Sequence, residues 1–147
     1  MDLPSSIAKE IDALAKQGNE AMDREDYESA FNLFNSAWSI IPDPYDSFSE
    51  STWILVAIAD VFFFTKKWEK MTTPLEAAIS CPNGLGNPFI HLRLGQAYLE
   101  LRQLEKAKDE LGRALMGGGK EVFESDDSKY FEFISQHMSP PIGESAW

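Results

Sequence analysis

Histidine, cysteine and carboxylate side chains are the groups in this chain that could bind a metal or act as acids, bases or nucleophiles. The two histidines, His91 and His137, lie far apart in the sequence and on different predicted helices. Cys81 is the single cysteine, and no Cys/His cluster has the short spacing of a metal site. We therefore expect no metal site. Cys81 lies at the end of a predicted helix, and we interpret it as structural and not as a reactive thiol.

Short motifs in the sequence share single features with catalytic sites. The segment Gly117 to Lys120 is glycine-rich, but no strand precedes it and no Ser or Thr follows it, as a phosphate-binding loop requires. The serines have no basic partner placed by a nucleophile motif, and the paired carboxylates lie at predicted turns, where acids favour helix starts. These residues are Ser49, Ser51 and Ser80, with the pairs Glu25/Asp26 and Asp126/Asp127. The sequence thus predicts neither an enzyme nor a bound cofactor.

The charge of the chain is strongly unbalanced. There are 24 acidic and 13 basic side chains among 147 residues, so the net charge is −11. A field of this sign repels phosphate groups, so we expect a basic protein partner and neither nucleic acid nor an anionic membrane. The alternative is that the acidic surface only keeps a cytoplasmic protein in solution. The single cysteine, the lack of a secretory signal and the lack of a membrane-length apolar run predict a cytoplasmic protein.

One spacing of small and apolar residues occurs three times. All three sets have intervals of 12, 4, 3 and 5 residues, and the second set matches the other two more loosely in its residue types. The sets are Gly18, Ala30, Phe34, Ala37 and Pro42; Ala59, Met71, Leu75, Ala78 and Asn83; and Gly95, Ala107, Leu111, Ala114 and Gly119. Two small residues twelve apart let antiparallel helices cross closely, and apolar residues at helical spacing fill the gap between helix pairs. The pattern predicts three helical hairpins.

Start and stop signals delimit the predicted helices. Pro42, Pro82 and the glycines at 117–119 end the hairpins, and Ser5 or Ser6 caps the first helix. The helices of the hairpins are predicted at about 5–23 and 27–40, 51–65 and 68–80, and 87–101 and 104–115. A seventh helix at about 126–138, with an apolar stripe formed by Tyr130, Phe131, Phe133 and Ile134, is expected to cap the last hairpin. The tail 139–147 is predicted to be irregular.

The segment Leu94 to Tyr98, Leu-Gly-Gln-Ala-Tyr, is close to the first-helix pattern of the tetratricopeptide repeat, and the chain resembles this family over about Ile11 to Gly119. The resemblance implies an all-α fold: a right-handed superhelical stack of three tetratricopeptide-like hairpins plus a C-terminal capping helix. It implies one domain over 1–147, with repeats at about 11–42, 52–83 and 88–119. The middle repeat is degenerate, and a different helical bundle is the alternative.

In this family the first helix of each hairpin lines a concave binding groove. Carried over by register, the partner-binding residues are Asn19, Met22, Trp53, Asp60, Phe63, Phe89 and Gln96. Among them, the aromatic side chains are the expected apolar anchors. The alternative is that the insertion at 43–49 or the C-terminal helix covers them.

The best-known groove of the family grips a C-terminal carboxylate with lysines, asparagines and an arginine. Only Asn19 fits that pattern here, because Asp60 stands in place of an asparagine and Gln96 in place of the arginine. An aspartate repels the carboxylate that such a groove holds. A chaperone-tail clamp is therefore not expected.

These features indicate a module that binds a protein partner. Small acidic repeat proteins of this kind resemble bacterial immunity proteins, each of which neutralises a secreted toxin encoded beside it. The sequence of residues 126–133 also resembles that group of proteins. Long-range attraction would speed the association of an acidic inhibitor with a basic toxin domain. The alternative is a cytoplasmic adaptor or secretion chaperone that holds an apolar peptide.

Overall fold

The computed structural model describes residues 1–147 and contains seven α-helices, two short 3-10 helices and no β-strand, which confirms the all-α class. The α-helices are α1 (Ser5–Asp23), α2 (Tyr27–Ser39), α3 (Ser49–Phe64), α4 (Trp68–Ile79), α5 (Pro88–Glu100), α6 (Leu104–Gly118) and α7 (Ser128–Ser135). Helices α1 and α2, α3 and α4, and α5 and α6 pack against each other as hairpins. No helix is both long enough and apolar enough to cross a membrane.

The chain divides into two compact units, and the prediction of a single domain over 1–147 stays a prediction. The N-terminal unit is Met1–Leu85 and contains α1 to α4, and the C-terminal unit is Gly86–Trp147 and contains α5 to α7. Within the N-terminal unit, α2 also packs against α3, so the first two hairpins share one core.

The turns inside the three hairpins have the same geometry. Glu25, Lys66 and Arg102, which are 41 and 36 residues apart, all adopt the left-handed conformation with φ of 59°, 58° and 63°. The amide of the next residue then donates to a carbonyl five residues earlier: Asp26 N to Ala21 O, Lys67 N to Phe62 O and Gln103 N to Tyr98 O, at 2.9, 2.8 and 2.9 Å. This is the bond that closes a Schellman motif at a helix end. The hairpins are thus repeats in backbone geometry as well as in sequence.

The small residues lie where the helices of a hairpin cross, as the spacing predicts. An added Cβ at Gly18 would stand 2.5 Å from Phe34 Cε1, and one at Gly95 would overlap the side chain of Leu111. Both apolar partners are fully buried. In the middle hairpin Ala59 occupies the corresponding position and is also fully buried.

The C-terminal helix is shorter than predicted and is reached through a 3-10 helix at Lys120–Phe123. Tyr130 and Ile134 of α7 are buried in a cluster with Leu111 and Leu115 of α6, so α7 packs on the last hairpin as expected. Residues 139–147 contain no helix, and the side chain of Trp147 packs against the same cluster.

The signals that begin α1 and end α6 differ from the predicted ones. Helix α1 has Pro4 at its N-cap and no side-chain cap, so neither Ser5 nor Ser6 has the capping role. Helix α6 continues through Gly118 and ends at Gly119, where φ is +71°. Glycine adopts this conformation without steric cost, so the last glycine of the run is the one that stops the helix.

Candidate functional site

Three of the residues predicted to bind a partner lie together in the N-terminal unit. Asn19 and Met22 of α1 and Asp60 of α3 line a concavity of about 230 Å³. Asn19 is exposed, while Met22 and Asp60 are half-buried. The remaining lining residues are Asp23, Phe34 and Ala57. We call this the α1–α3 concavity.

The α1–α3 concavity combines acidic, amide and apolar side chains. Residues 19, 22 and 23 share one face of α1, and residues 57 and 60 share one face of α3, because residues three or four apart lie on the same side of a helix. Asp23 is exposed at the end of α1. A carboxylate beside an amide oxygen and a thioether suits the cationic head and methylene stem of a basic side chain.

Trp53 and Phe63 lie on the same helix as Asp60, but in different surroundings. Trp53 is 38% exposed and lies seven residues, about two turns, before Asp60, so both are on one side of α3. Phe63 is half-buried and makes edge contacts with Phe64 and Trp68, at ring-centroid distances of 5.3 and 5.8 Å. Trp53 is therefore the more accessible of the two predicted anchors.

The two predicted residues of the C-terminal unit surround a buried arginine. Gln96 is fully buried, and its Nε2 donates to Asp126 Oδ2 at 2.8 Å. Arg93 Nη1 donates to the same oxygen at 2.9 Å and to Gln96 Oε1 at 2.8 Å. The guanidinium carbon of Arg93 lies 4.7 Å from the ring centroid of Phe89, which is half-buried.

The position of Gln96 corrects the prediction that its side chain lines an open groove. Both ends of its amide are held within the protein, and the side chain has no exposed surface. Gln96 therefore orients Arg93 and Asp126. Phe89 keeps a partly exposed ring, and its role as an anchor stays a prediction.

The network of Arg93, Gln96 and Asp126 is not among the features that the sequence pattern predicts. The sequence pattern indicates only a helix-start acid at Asp126, but the N-cap of α7 is Asp127, whose side chain accepts from Lys129 N. The available signal is Arg93, a charged residue directly between Leu92 and Leu94. A charge buried in this way requires a partner of opposite charge.

The buried histidine and the buried cysteine of the chain lie in structural surroundings. His91 Nδ1 lies 2.6 Å from Glu110 Oε2, and Gly86 N donates to His91 Nε2 at 3.2 Å. The amide thus occupies the lone pair on Nε2, which leaves the proton on Nδ1 for the carboxylate. Burial, and to a lesser extent Asp46, raises the pKa of the Cys81 thiol, which disfavours the reactive thiolate. No group of three or more His, Cys, Asp and Glu side chains is arranged to hold a metal ion.

Two further side chains connect α5 to α7. Tyr130 Oη donates to Glu100 Oε1 at 2.9 Å, and Lys129 forms an ion pair with the same oxygen. Burial raises the pKa of Tyr130 well above its usual range, and the hydrogen bond to Glu100 adds to the shift. Glu100 therefore has a structural role within the C-terminal unit.

These features define an all-α protein of helical-repeat type, with a concavity between the first helices of its two N-terminal hairpins. No protein-family model matches the chain. No curated protein matches its sequence either.

Proposed function

We propose that this chain is a tetratricopeptide-type repeat protein that binds a basic protein partner. The identical turns of the three hairpins and the small residues at their crossings support this family, in which hairpins stack as a right-handed superhelix. The proposed activity is binding without catalysis or a cofactor.

The α1–α3 concavity is the observation that carries the proposal. It brings together Asn19, Met22 and Asp60, three residues that the register of the repeat assigns to the binding face. Trp53 lies on the same side of α3 and is exposed, and partly exposed tryptophans are frequent anchors of protein interfaces. The net charge of −11 favours a partner with a basic surface.

The partner we propose is a secreted toxin domain, and the role is that of a bacterial immunity protein acting in the cytoplasm. An inhibitor of this kind needs rapid association and a stable complex. The acidic charge supplies long-range attraction, and an aromatic anchor beside a concavity lowers the dissociation rate.

The test is a calorimetric titration with the product of the neighbouring gene, which the proposal requires to be a toxin domain. Trp53→Ala should weaken binding about thirtyfold, which corresponds to about 2 kcal/mol. Asp60→Asn should also weaken it. Leu104→Ala is the matched control, because Leu104 is an apolar side chain of similar exposure in the C-terminal unit, and it should bind as the parent does.

The folded state of each variant is checked by its thermal unfolding curve. If Trp53→Ala and Asp60→Asn are folded and bind as tightly as the parent, the concavity is not the binding site. If Trp53→Ala weakens binding while Asp60→Asn and added salt do not, an adaptor for an apolar peptide becomes the better description.

A further inference from the structure

A second cavity of the N-terminal unit lies between α2 and the turn that joins α3 to α4. Its walls come from the start of α2, the end of α3 and the start of α4. Its volume is about 450 Å³, within the range of about 300–1,000 Å³ that is usual for small-molecule sites. It shares no lining residue with the α1–α3 concavity. We call it the α2–α4 cavity.

Aromatic side chains form the apolar part of this cavity. The rings of Phe31 and Phe62 both line it, with centroids 5.5 Å apart. Tyr27, one helical turn before Phe31, lines it as well. All three side chains are half-buried, so each keeps part of its surface accessible. Accessible rings on a concave surface favour packing against another flat apolar group.

Two lysines supply the positive charge of the α2–α4 cavity. Lys67 directly precedes α4 and Lys70 lies three residues later, a spacing at which side chains on a helix are neighbours. Lys70 Nζ lies 6.0 Å from the ring centroid of Phe62, which places the ammonium beside the aromatic wall. Both lysines are exposed, and neither forms an ion pair, although Glu28 lines the same cavity. The two ammonium groups are therefore free to pair with an anion.

The charges also indicate how many negative charges a ligand should carry. Two lysines and one glutamate give the cavity a net charge of +1, whereas the whole chain has a net charge of −11. The field of the chain repels a multiply charged anion more strongly than a singly charged one. A single carboxylate therefore suits this cavity better than a phosphate group with two charges.

We propose that the α2–α4 cavity binds a small aromatic carboxylate. The ring of the ligand packs against Phe31 and Phe62, and its carboxylate pairs with the ammonium groups of Lys67 and Lys70. This site goes beyond the proposed binding of a toxin domain and uses other residues. Either proposal can therefore fail without affecting the other.

The experiment compares cinnamate with cinnamamide, a neutral probe of the same shape, and with acetate, which has the charge without the ring. Each probe is titrated into the full chain labelled with ¹⁵N, and the backbone amide resonances of residues 61–70 are followed by NMR. Cinnamate should shift these resonances saturably, with an affinity about fivefold higher than that of cinnamamide. Acetate should cause no saturable shift over the same concentration range.

The double variant Lys67→Met/Lys70→Met keeps apolar stems in the cavity and removes both charges. The matched control is Lys9→Met/Lys16→Met, which removes two exposed lysines of α1 outside the cavity. The first variant should abolish the preference for cinnamate over cinnamamide, and the second should leave it unchanged. Thermal unfolding curves establish that both variants are folded.

Three results with the parent chain would overturn the proposal. They are no saturable binding of cinnamate, equal affinities for cinnamate and cinnamamide, and saturable binding of acetate, which would indicate an anion site without an aromatic part. A preference for cinnamate that persists in folded Lys67→Met/Lys70→Met would overturn it as well. The same holds if the control variant loses the preference, because the preference would then come from overall charge.

Discussion

At the scale of single residues, the small side chains at the hairpin crossings determine how closely two helices approach. At Gly95 an added Cβ would overlap the side chain of Leu111 and lie 2.9 Å from its backbone nitrogen. At Gly112 of the partner helix it would meet only side-chain ends, Met138 Sδ at 3.3 Å and Ile134 Cδ1 at 3.9 Å. The two glycines therefore have different functions, although both lie inside helices.

We expect Gly95→Ala to lower the free energy of unfolding by about 1–3 kcal/mol, because the backbone of α6 has to move away. Gly112→Ala should be close to neutral, since higher helix propensity offsets the contact with a flexible thioether. Urea denaturation of both variants measures the difference. Equal stabilities would show that α5 and α6 do not cross at Gly95.

The raised pKa of Tyr130 predicts a loss of stability at alkaline pH. Tyrosines in the unfolded chain ionise near pH 10, while burial and Glu100 keep Tyr130 protonated in the folded chain. The unfolded state then binds fewer protons than the folded state, so stability falls as pH rises above about 10, by at most about 1.4 kcal/mol per pH unit.

Tyr130→Phe removes this contribution, so its stability should fall less steeply than that of the parent above pH 10. The measurement is the urea midpoint at a series of pH values from 8 to 11. Parallel pH profiles of parent and variant would contradict the assignment.

At the scale of elements, two neighbouring aspartates hold the start of α7 in different ways. Asp126 accepts from both Arg93 and Gln96 of α5, and it is mostly buried. Asp127 is exposed and caps α7 by accepting from Lys129 N. The first contact joins two elements, whereas the second lies within one element.

Asp126→Ala should therefore destabilise the protein by about 3 kcal/mol, because it removes the shared acceptor of a buried ionic network. Asp127→Ala should cost about 1 kcal/mol, the usual value of an N-cap. Chemical denaturation compares the two variants directly. A larger loss for Asp127→Ala would mean that the network does not hold α7 in place.

At the scale of the whole molecule, the net negative charge should increase the association rate of a basic partner. For the proposed basic partner, the association rate should fall as ionic strength rises, because salt screens long-range attraction. Asp12→Lys, at an exposed position of α1, should slow association with little effect on dissociation, whereas Trp53→Ala should mainly speed dissociation. Stopped-flow kinetics in 50 and 300 mM salt separate the two effects. An association rate that does not depend on salt would contradict the electrostatic part of the proposal.

The fold was largely predictable because its signals are local and periodic. The interval between Gly18 and Ala30 identifies a helix crossing, and Asn87 before Pro88 identifies a helix start with its side-chain cap. The hairpin turns were located but their left-handed residues were not, because Glu25, Lys66 and Arg102 are not residue types that favour that conformation.

The candidate site was predictable only in part. Register alone identified Asn19, Met22 and Asp60, which lie together in one concavity of the N-terminal unit. Register alone predicted an open groove around Gln96, but the side chain is fully buried. Register shows which face of a helix a residue occupies and not what packs over that face.

The sequence by itself therefore determined the helices, their pairing into hairpins and the small residues at which they cross, since each depends on intervals of a few residues. Only the tertiary structure decided that Arg93 and Gln96 share the carboxylate of Asp126, and that Trp147 packs against the α6–α7 cluster with a buried indole N–H. Asp126 lies 33 and 30 residues from its two partners along the chain. Such contacts form only when separate elements pack together, and no local pattern of residues specifies them.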